Sequence, residues 1–157
     1  MPMKELAGKL DAKGLSFGIV LSRFNSRVTE VLLNGALDGI TRLGGSRDSV
    51  TVLRVPGSFE IAQGLRLLAG AKNAPDALIA LGALVRGETP HFDQLARVVT
   101  GEIAAVAAES GIPVANGVLT TDTLEQAMER AGGKSGNKGF EAAQTAVEMA
   151  QLKKLVG

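Results

Sequence analysis

Residues 77–93 read Ala-Leu-Ile-Ala-Leu-Gly-Ala-Leu-Val-Arg-Gly-Glu-Thr-Pro-His-Phe-Asp, and they are the most informative segment for the architecture of the chain. Its first part, residues 77–85, is an uninterrupted apolar run that predicts a β-strand buried on both faces, as in a parallel sheet. The residues after such a strand lie at the carboxyl edge of the sheet, where open α/β folds place their sites. His91, the only histidine of the chain, has that position and is the first candidate for chemistry.

Strands and helices are expected to alternate along the whole chain. Apolar runs predict strands at residues 15–22, 50–55, 77–85 and 112–119. Helical spacing of apolar residues predicts helices at residues 26–43, 58–68, 92–106, 122–130 and 140–155. Asn25 is a candidate cap of the first helix, and Asp122 with Glu125 resembles a capping box. The pattern indicates an α/β fold with a four-stranded parallel sheet between helices, formed by one domain of residues 14–157 after an N-terminal arm of residues 1–13.

Composition argues against several classes of function. Seventeen basic and sixteen acidic residues leave a net charge of +1, and no basic stripe with interleaved aromatics indicates a nucleic-acid surface. The absence of cysteine excludes disulfides and thiolate metal sites, and a single histidine without a carboxylate cluster indicates no metal. The longest apolar run, residues 77–85, is far shorter than the ~20 residues of a membrane helix. The start of the chain has no secretory apolar core, so we expect a cytoplasmic protein without membrane partners.

Nucleotide-binding motifs fit the sequence poorly. Residues 133–135, Gly-Lys-Ser, resemble the end of a P-loop, but Met128 stands where that motif requires glycine. No Gly-x-Gly-x-x-Gly follows the first strand, which removes the main signature of dinucleotide binding. The turn at residues 87–91 suits an anion better, because it leads into a helix N-terminus with free N–H groups. Candidates for the countercharge are Arg130, Lys134 and Lys138. A solvated basic loop is the simpler interpretation of these three.

All four expected strand ends carry polar or aromatic side chains. They are Arg23, Phe24 and Asn25, then Ser58, Phe59 and Glu60, then residues 86–91, and finally Asn116, Thr120 and Thr121. Each has an ordinary structural explanation: Phe24 as core, Ser58 as a helix cap, Asn116 as part of a turn. A lone loop histidine is likewise more often solvated or capping than catalytic. Their joint occurrence at consecutive strand ends favours a common ligand crevice.

Five ordered motifs have the spacing of one known family. They are Ser22–Asn25, Pro56–Glu60, Gly82–Asp93, Pro113–Thr121 and Glu129–Gly139, within a match of about residues 14–155. Together they resemble the 6,7-dimethyl-8-ribityllumazine synthase family. The resemblance implies a flavodoxin-like three-layer sandwich and the penultimate step of riboflavin synthesis. In that step 5-amino-6-(D-ribitylamino)uracil condenses with L-3,4-dihydroxy-2-butanone 4-phosphate, without metal or organic cofactor.

The resemblance also implies a role for each site residue. Phe24 stacks on the pyrimidine and His91 transfers protons. The uracil and ribityl chain are bound by Ser58, Phe59, Glu60, Ala83, Leu84, Val85 and Asn116. Phosphate is bound by main-chain groups of Glu88 and Thr89 and by Arg130, with Arg86 and Lys138 as further candidates. Asn116 stands where many members carry a bulky aromatic, so an apolar wall over the pyrimidine is not implied on that side, although the main chain can still contact the ring.

A shared site and a large assembly follow from the same resemblance. Asn116 and Arg130 come from the neighbouring subunit of a pentamer. The short connection at residues 131–139 has the form of shell-forming relatives, which favours sixty subunits, and riboflavin synthase is a candidate partner. A flavin-binding module and a shell-forming structural protein stay open as alternatives. His91 and Arg130 argue against both, because neither alternative needs a proton donor and a phosphate clamp.

Overall fold

The sheet has four parallel strands, as the sequence predicts. The computed structural model describes residues 2–133 and 136–157, so Lys134, a predicted countercharge, lies outside the described residues. The strands are β1 (Phe17–Ser22), β2 (Val50–Val55), β3 (Ala77–Val85) and β4 (Val114–Thr121), in the order β2-β1-β3-β4. The predicted bounds of β2 and β3 are confirmed. The predicted start of β1 at residue 15 is wrong, and so are both predicted bounds of β4.

Five helices cover the two faces of the sheet in the described part of the chain. They are α1 (Ser26–Arg42), α2 (Ile61–Ala69), α3 (Phe92–Ser110), α4 (Leu124–Arg130) and α5 (Lys138–Val156), and a 3₁₀ turn at Ser58–Glu60 precedes α2. One apolar core joins the sheet to α1, α4 and α5, and a second joins it to α2 and α3. All nine residues of β3 are buried, because helices cover both faces of this inner strand. The predicted three-layer α/β fold is therefore confirmed.

α5 begins in close contact with α1. A Cβ atom placed on Gly139 would lie 2.0 Å from the main-chain oxygen of Leu32, so only glycine allows this approach. Asn137 caps α5, because its side-chain oxygen accepts hydrogen bonds from the N–H groups of Gly139 at 2.8 Å and Phe140 at 3.1 Å. Its amide nitrogen donates to the carbonyl of Val31 on α1 at 3.0 Å. These contacts fix the start of α5 beside α1.

Two of the three predicted caps are wrong, and the third is confirmed only in its position. Asn25 is the N-cap residue of α1 in a left-handed conformation, with φ 63°, but its side chain does not cap the helix. Ser58 does not cap either, since its hydroxyl is buried and has no hydrogen-bond partner among the described residues. Thr123 and Gln126 form the capping box of α4 in place of the Asp122 and Glu125 pair. The reason is that β4 continues to residue 121, which moves the first free N–H groups of α4 along the chain.

The N-terminal segment has neither helix nor strand from residue 2 to residue 9. It lies along α5, where a Cβ atom on Gly8 would meet the main-chain oxygen of Glu148 at 1.9 Å. The Gln151 side-chain amide donates to the carbonyl of Asp11 at 2.5 Å, which ties the end of this segment to the same helix. A division of the chain at residue 13 stays a prediction. In the described ranges, no helix has the length and apolarity to cross a membrane.

Candidate active site

The sheet opens a crevice between β1 and β3 at their carboxyl ends. The last pair between these strands is Leu21 with Leu81, and β3 then continues to Val85 paired with β4 alone. The chain leaves β1 toward β2 on one side and leaves β3 toward β4 on the other, so the strand order reverses here. Ligands of open α/β folds bind at such a reversal. The residues after β1, β2 and β3 border this position.

Two phenylalanines are exposed in the turns that follow β1 and β2. Phe24 is 55% exposed and Phe59 is 60% exposed, whereas Phe17 and Phe92 are buried in the cores. The interpretation of Phe24 as a core residue is therefore wrong for the single chain. An exposed ring at the end of β1 is available to stack on a flat ligand.

The turn after β2 reaches the end of β3. Ser58 is buried, and a Cβ atom on Gly82 would lie 3.1 Å from its hydroxyl oxygen, so glycine allows this contact. A buried hydroxyl without a partner is normally satisfied by water or by a ligand. Glu60 follows in the same turn and makes no ion pair within the described ranges. Ser58 and Glu60 thus offer a hydroxyl and a carboxylate beside the crevice.

The turn after β3 contains the predicted phosphate donors and the histidine. Gly87 has φ 93°, the left-handed region that favours glycine, and His91 is exposed directly before α3. The N–H of Glu88 donates to the carbonyl of Val85 at 3.3 Å, so one of the two predicted main-chain donors is used within the turn. The N–H of Thr89 makes no hydrogen bond with the residues that the structure describes. Of the two predicted main-chain donors, the N–H of Thr89 is therefore the one available to a ligand.

The predicted ligand contacts on β3 itself are limited to the main chain. The side chains of Ala83, Leu84 and Val85 are all buried in the two cores. The carbonyl of Ala83 accepts a hydrogen bond from the Asn25 side chain at 3.0 Å. Residues 83–85 can therefore meet a ligand only through peptide groups that β1 leaves free.

Arg86 lies between two carboxylates, which the sequence did not indicate. Its Nε donates to Asp122 at 2.9 Å and its Nη2 donates to Asp93 at 3.1 Å. Its guanidinium also lies 4.6 Å above the ring of Phe92. The hydrogen bonds to Asp122 and then to Asp93 raise the pKa of Arg86 above its usual value. The guanidinium joins β3 to the starts of α3 and α4. A phosphate at this position would have to compete with both carboxylates for the N–H donors of Arg86.

A second group of predicted residues lies on the outer side of the edge strand β4. Asn116, Arg130 and Lys138 line a cavity of about 390 Å³ together with Thr120 and Glu141. Within the described ranges, neither Arg130 nor Lys138 makes an ion pair. Among the described residues of its lining, two cations outnumber the one carboxylate, that of Glu141, so the cavity suits an anion.

Asn116 is not at a strand end, which corrects the sequence prediction. It is exposed inside β4, opposite Ala80, because the expected strand at residues 112–119 and the observed strand both contain it. Its side-chain oxygen accepts a hydrogen bond from the N–H of Val118 at 3.0 Å. Asn116 also lines the cavity outside β4.

The structure thus separates the predicted residues into two groups on one chain. Phe24, Ser58, Glu60 and His91 lie in the turns that follow β1, β2 and β3, and none of them lines either cavity beside Arg130. Arg130 also borders a cavity of about 490 Å³ at the end of β4, which it shares with residues that include Arg86, Phe92 and Asp122. In the described ranges, no three His, Cys, Asp or Glu side chains are grouped to hold a metal ion.

A comparison with family models identifies the family of the chain. The model described as 6,7-dimethyl-8-ribityllumazine synthase matches residues 14–154 of the 157, nearly the whole chain. The matched range contains both groups of predicted site residues and all four strands. The chain therefore belongs to the 6,7-dimethyl-8-ribityllumazine synthase family, transferases of riboflavin biosynthesis that act on two small-molecule substrates and form oligomers.

Proposed function

We propose that this protein condenses 5-amino-6-(D-ribitylamino)uracil with L-3,4-dihydroxy-2-butanone 4-phosphate and releases phosphate and two molecules of water. We further infer that each active site is completed by a second copy of the chain. The observation that carries this proposal is the division of the site residues between the crevice and the cavity outside β4. A substrate-sized site that needs both groups requires two chains in contact.

The crevice supplies the groups for the pyrimidine substrate. Phe24 stacks on the ring with its exposed face, and residues 83–85 bind the uracil through main-chain groups. The hydroxyl of Ser58 and the carboxylate of Glu60 bind the ribityl chain, whose hydroxyls both donate and accept hydrogen bonds. Phe59 lies between them in sequence and contributes its main chain.

The phosphate is bound by groups from both chains. The turn from Gly87 to His91 offers the free N–H of Thr89 and the positive end of α3. Arg130 of the neighbouring copy holds the phosphate as a bidentate donor, with Lys138 as a second cation in the same cavity. Asn116 of that copy contacts the pyrimidine. Opposite surfaces of one chain meet in this arrangement, so a ring is required to satisfy every copy.

We propose a pentamer as that ring, and twelve pentamers as a closed shell. The shell rests on the short connection at residues 131–139. A cytoplasmic location stays a prediction, and riboflavin synthase stays a predicted partner that would take the product.

The chemistry follows from the two substrates. The ring amine attacks the ketone carbonyl to give a carbinolamine, which loses water to form an imine. Removal of a proton from the neighbouring carbon expels phosphate and leaves an enol, which tautomerises to a ketone. The ribityl-bearing nitrogen attacks this second ketone, and loss of another water closes the ring. His91, exposed beside the phosphate turn, supplies and removes the protons.

Positioning contributes more to the rate than proton transfer. Holding two reactants in register can lower the barrier by about 7–11 kcal/mol. General acid–base catalysis contributes about 10²–10⁴-fold, which is about 3–5 kcal/mol. Turnover is therefore impaired, and not abolished, when His91 is removed.

The direct test mixes the purified protein with both substrates and follows the absorbance and fluorescence of the lumazine. We expect product formation above the rate of the two substrates alone, and a lower rate with Arg130→Gln, which keeps hydrogen-bonding capacity without charge. Binding of riboflavin without turnover would establish the flavin-binding alternative. Assembly with neither turnover nor riboflavin binding would establish the structural alternative.

A further inference from the structure

We propose that Asn25 is a positioning residue that joins the two substrate subsites, holding the Glu88 turn against β3 and setting the direction in which Phe24 leaves β1. This inference rests on the proposed function, which places the pyrimidine at Phe24 and the phosphate at the Glu88 turn. Asn25 itself is assigned no contact with either substrate.

The side chain of Asn25 bridges two segments that are distant in sequence. Its amide nitrogen donates to the carbonyl of Ala83 at 3.0 Å and to the Oε2 atom of Glu88 at 3.0 Å. Both partners are acceptors, so the nitrogen, and not the oxygen, must face them. The two N–H donors of the amide are both used, one on β3 and one on the turn that follows it.

The main chain of Asn25 is equally unusual. Among the described residues it is the only non-glycine residue with a positive φ, at 63°. Asparagine tolerates this conformation better than most residues, but it is still costly and persists where the surroundings demand it. The carbonyl of Asn25 accepts hydrogen bonds from the N–H groups of Val28 and Thr29, which starts α1. The turn at Asn25 thus fixes both α1 and the exposed ring of Phe24 before it.

The bond to Glu88 has an electrostatic consequence for phosphate binding. The Glu88 carboxylate belongs to the turn that offers main-chain N–H groups to the phosphate, and like charges repel. The Asn25 amide holds this carboxylate toward β1. Without that bond the carboxylate is free to compete with the phosphate for the N–H of Thr89.

Three variants separate the left-handed conformation of Asn25 from the hydrogen bonds of its side chain. Asn25→Gly keeps the left-handed conformation and removes both donors. Asn25→Asp also tolerates that conformation but places a second carboxylate against Glu88. The double variant Asn25→Asp with Glu88→Gln restores a hydrogen bond of reversed direction, because the glutamine amide can donate to aspartate.

Kinetics of the full-length protein give the first readout. We expect Asn25→Gly to raise KM for the phosphorylated ketone about tenfold, the effect of one charge-assisted hydrogen bond. Asn25→Asp should raise it further, and Glu88→Gln in the Asn25→Asp background should recover at least the added loss. The KM for the pyrimidine should change by the same factor in Asn25→Gly and Asn25→Asp. In each of these variants, the factor by which kcat falls should be smaller than the factor by which KM for the ketone rises. Equal ketone KM values for Asn25→Gly and wild type, or no recovery in the double variant, would overturn the inference.

A second readout does not depend on turnover. Hydrogen–deuterium exchange of the peptide around residues 86–92 is measured with and without inorganic phosphate. We expect faster exchange in Asn25→Gly, phosphate protection in wild type, and about tenfold more phosphate for half protection in Asn25→Asp. Absence of phosphate protection in wild type would overturn this inference. Normal protection without lumazine formation would overturn the proposed function alone.

Discussion

The contact between α1 and α5 gives the sharpest prediction for stability. In Gly139→Ala the new methyl group would lie 2.0 Å from the main-chain oxygen of Leu32 and 2.7 Å from its carbonyl carbon. Both atoms belong to the backbone of α1, so the two helices must separate. Overpacking of this kind costs about 3 kcal/mol of the free energy of unfolding, and the better helix propensity of alanine returns at most about 1 kcal/mol. We expect a net loss of at least about 2 kcal/mol.

Gly101→Ala is the matched control, because Gly101 lies inside α3, another helix of 19 residues. Apart from its chain neighbours and the adjacent backbone of α3, no atom of the described chain lies within 4 Å of a Cβ there. Thermal unfolding at fixed protein concentration compares the two variants. For a chain of this length each kcal/mol moves the Tm by about 2–4 °C. Gly139→Ala should lower the Tm by about 4–8 °C or more, and Gly101→Ala should raise it by about 2–4 °C. A Tm of Gly139→Ala at or above wild type would show that α1 and α5 accommodate the methyl group, contrary to this prediction. Equal losses of Tm in both variants would also contradict it.

His91→Ala should lower kcat by about 10- to 10⁴-fold, the range for loss of one proton-transfer group, while KM for the pyrimidine changes little in steady-state assays. Unchanged turnover would remove His91 from the mechanism. Light scattering should give a mass of about 80 or about 970 kDa, which is five or sixty times the 16.2 kDa chain. A monomer or dimer at all concentrations would contradict the shared site, and a stable pentamer would contradict the shell alone.

The strands were predictable where the apolar pattern has clear limits. β3 is bounded by Pro75 and Asp76 before Ala77 and by the turn after Val85, and its predicted range is confirmed. β4 has weaker limits, because the β-branched Thr120 and Thr121 continue the ladder opposite Leu84 and Val85. That pairing depends on β3 and is invisible in the local sequence. The cap of α4 moved from the Asp122 pair as a direct consequence.

The candidate site was predictable only in part. Strand-end position alone placed Phe24, Ser58 and His91 at one edge, since every parallel strand ends there. The cavity of Asn116, Arg130 and Lys138 requires β4, α4 and α5 to converge, and no spacing in the sequence encodes that convergence. The partners of Arg86 and Asn25 were missed for the same reason, because hydrogen bonds across 36 and 63 positions leave no local pattern. The tolerance of asparagine for positive φ was the only available signal.

Mixed assembly of two impaired variants tests whether each site is shared between copies of the chain. His91→Ala subunits and Arg130→Ala subunits are unfolded together, reassembled in equal amounts, and assayed for lumazine formation. If His91 and Arg130 of one site come from adjacent copies, an intact site forms where an Arg130→Ala subunit supplies His91 and an adjacent His91→Ala subunit supplies Arg130. In a closed ring with random order, each condition is met about half the time, so about a quarter of the sites are intact. We therefore expect about a quarter of wild-type activity, well above either variant reassembled alone. Mixed assemblies, verified by mass, that show no recovery would place both residues in one chain and contradict the account.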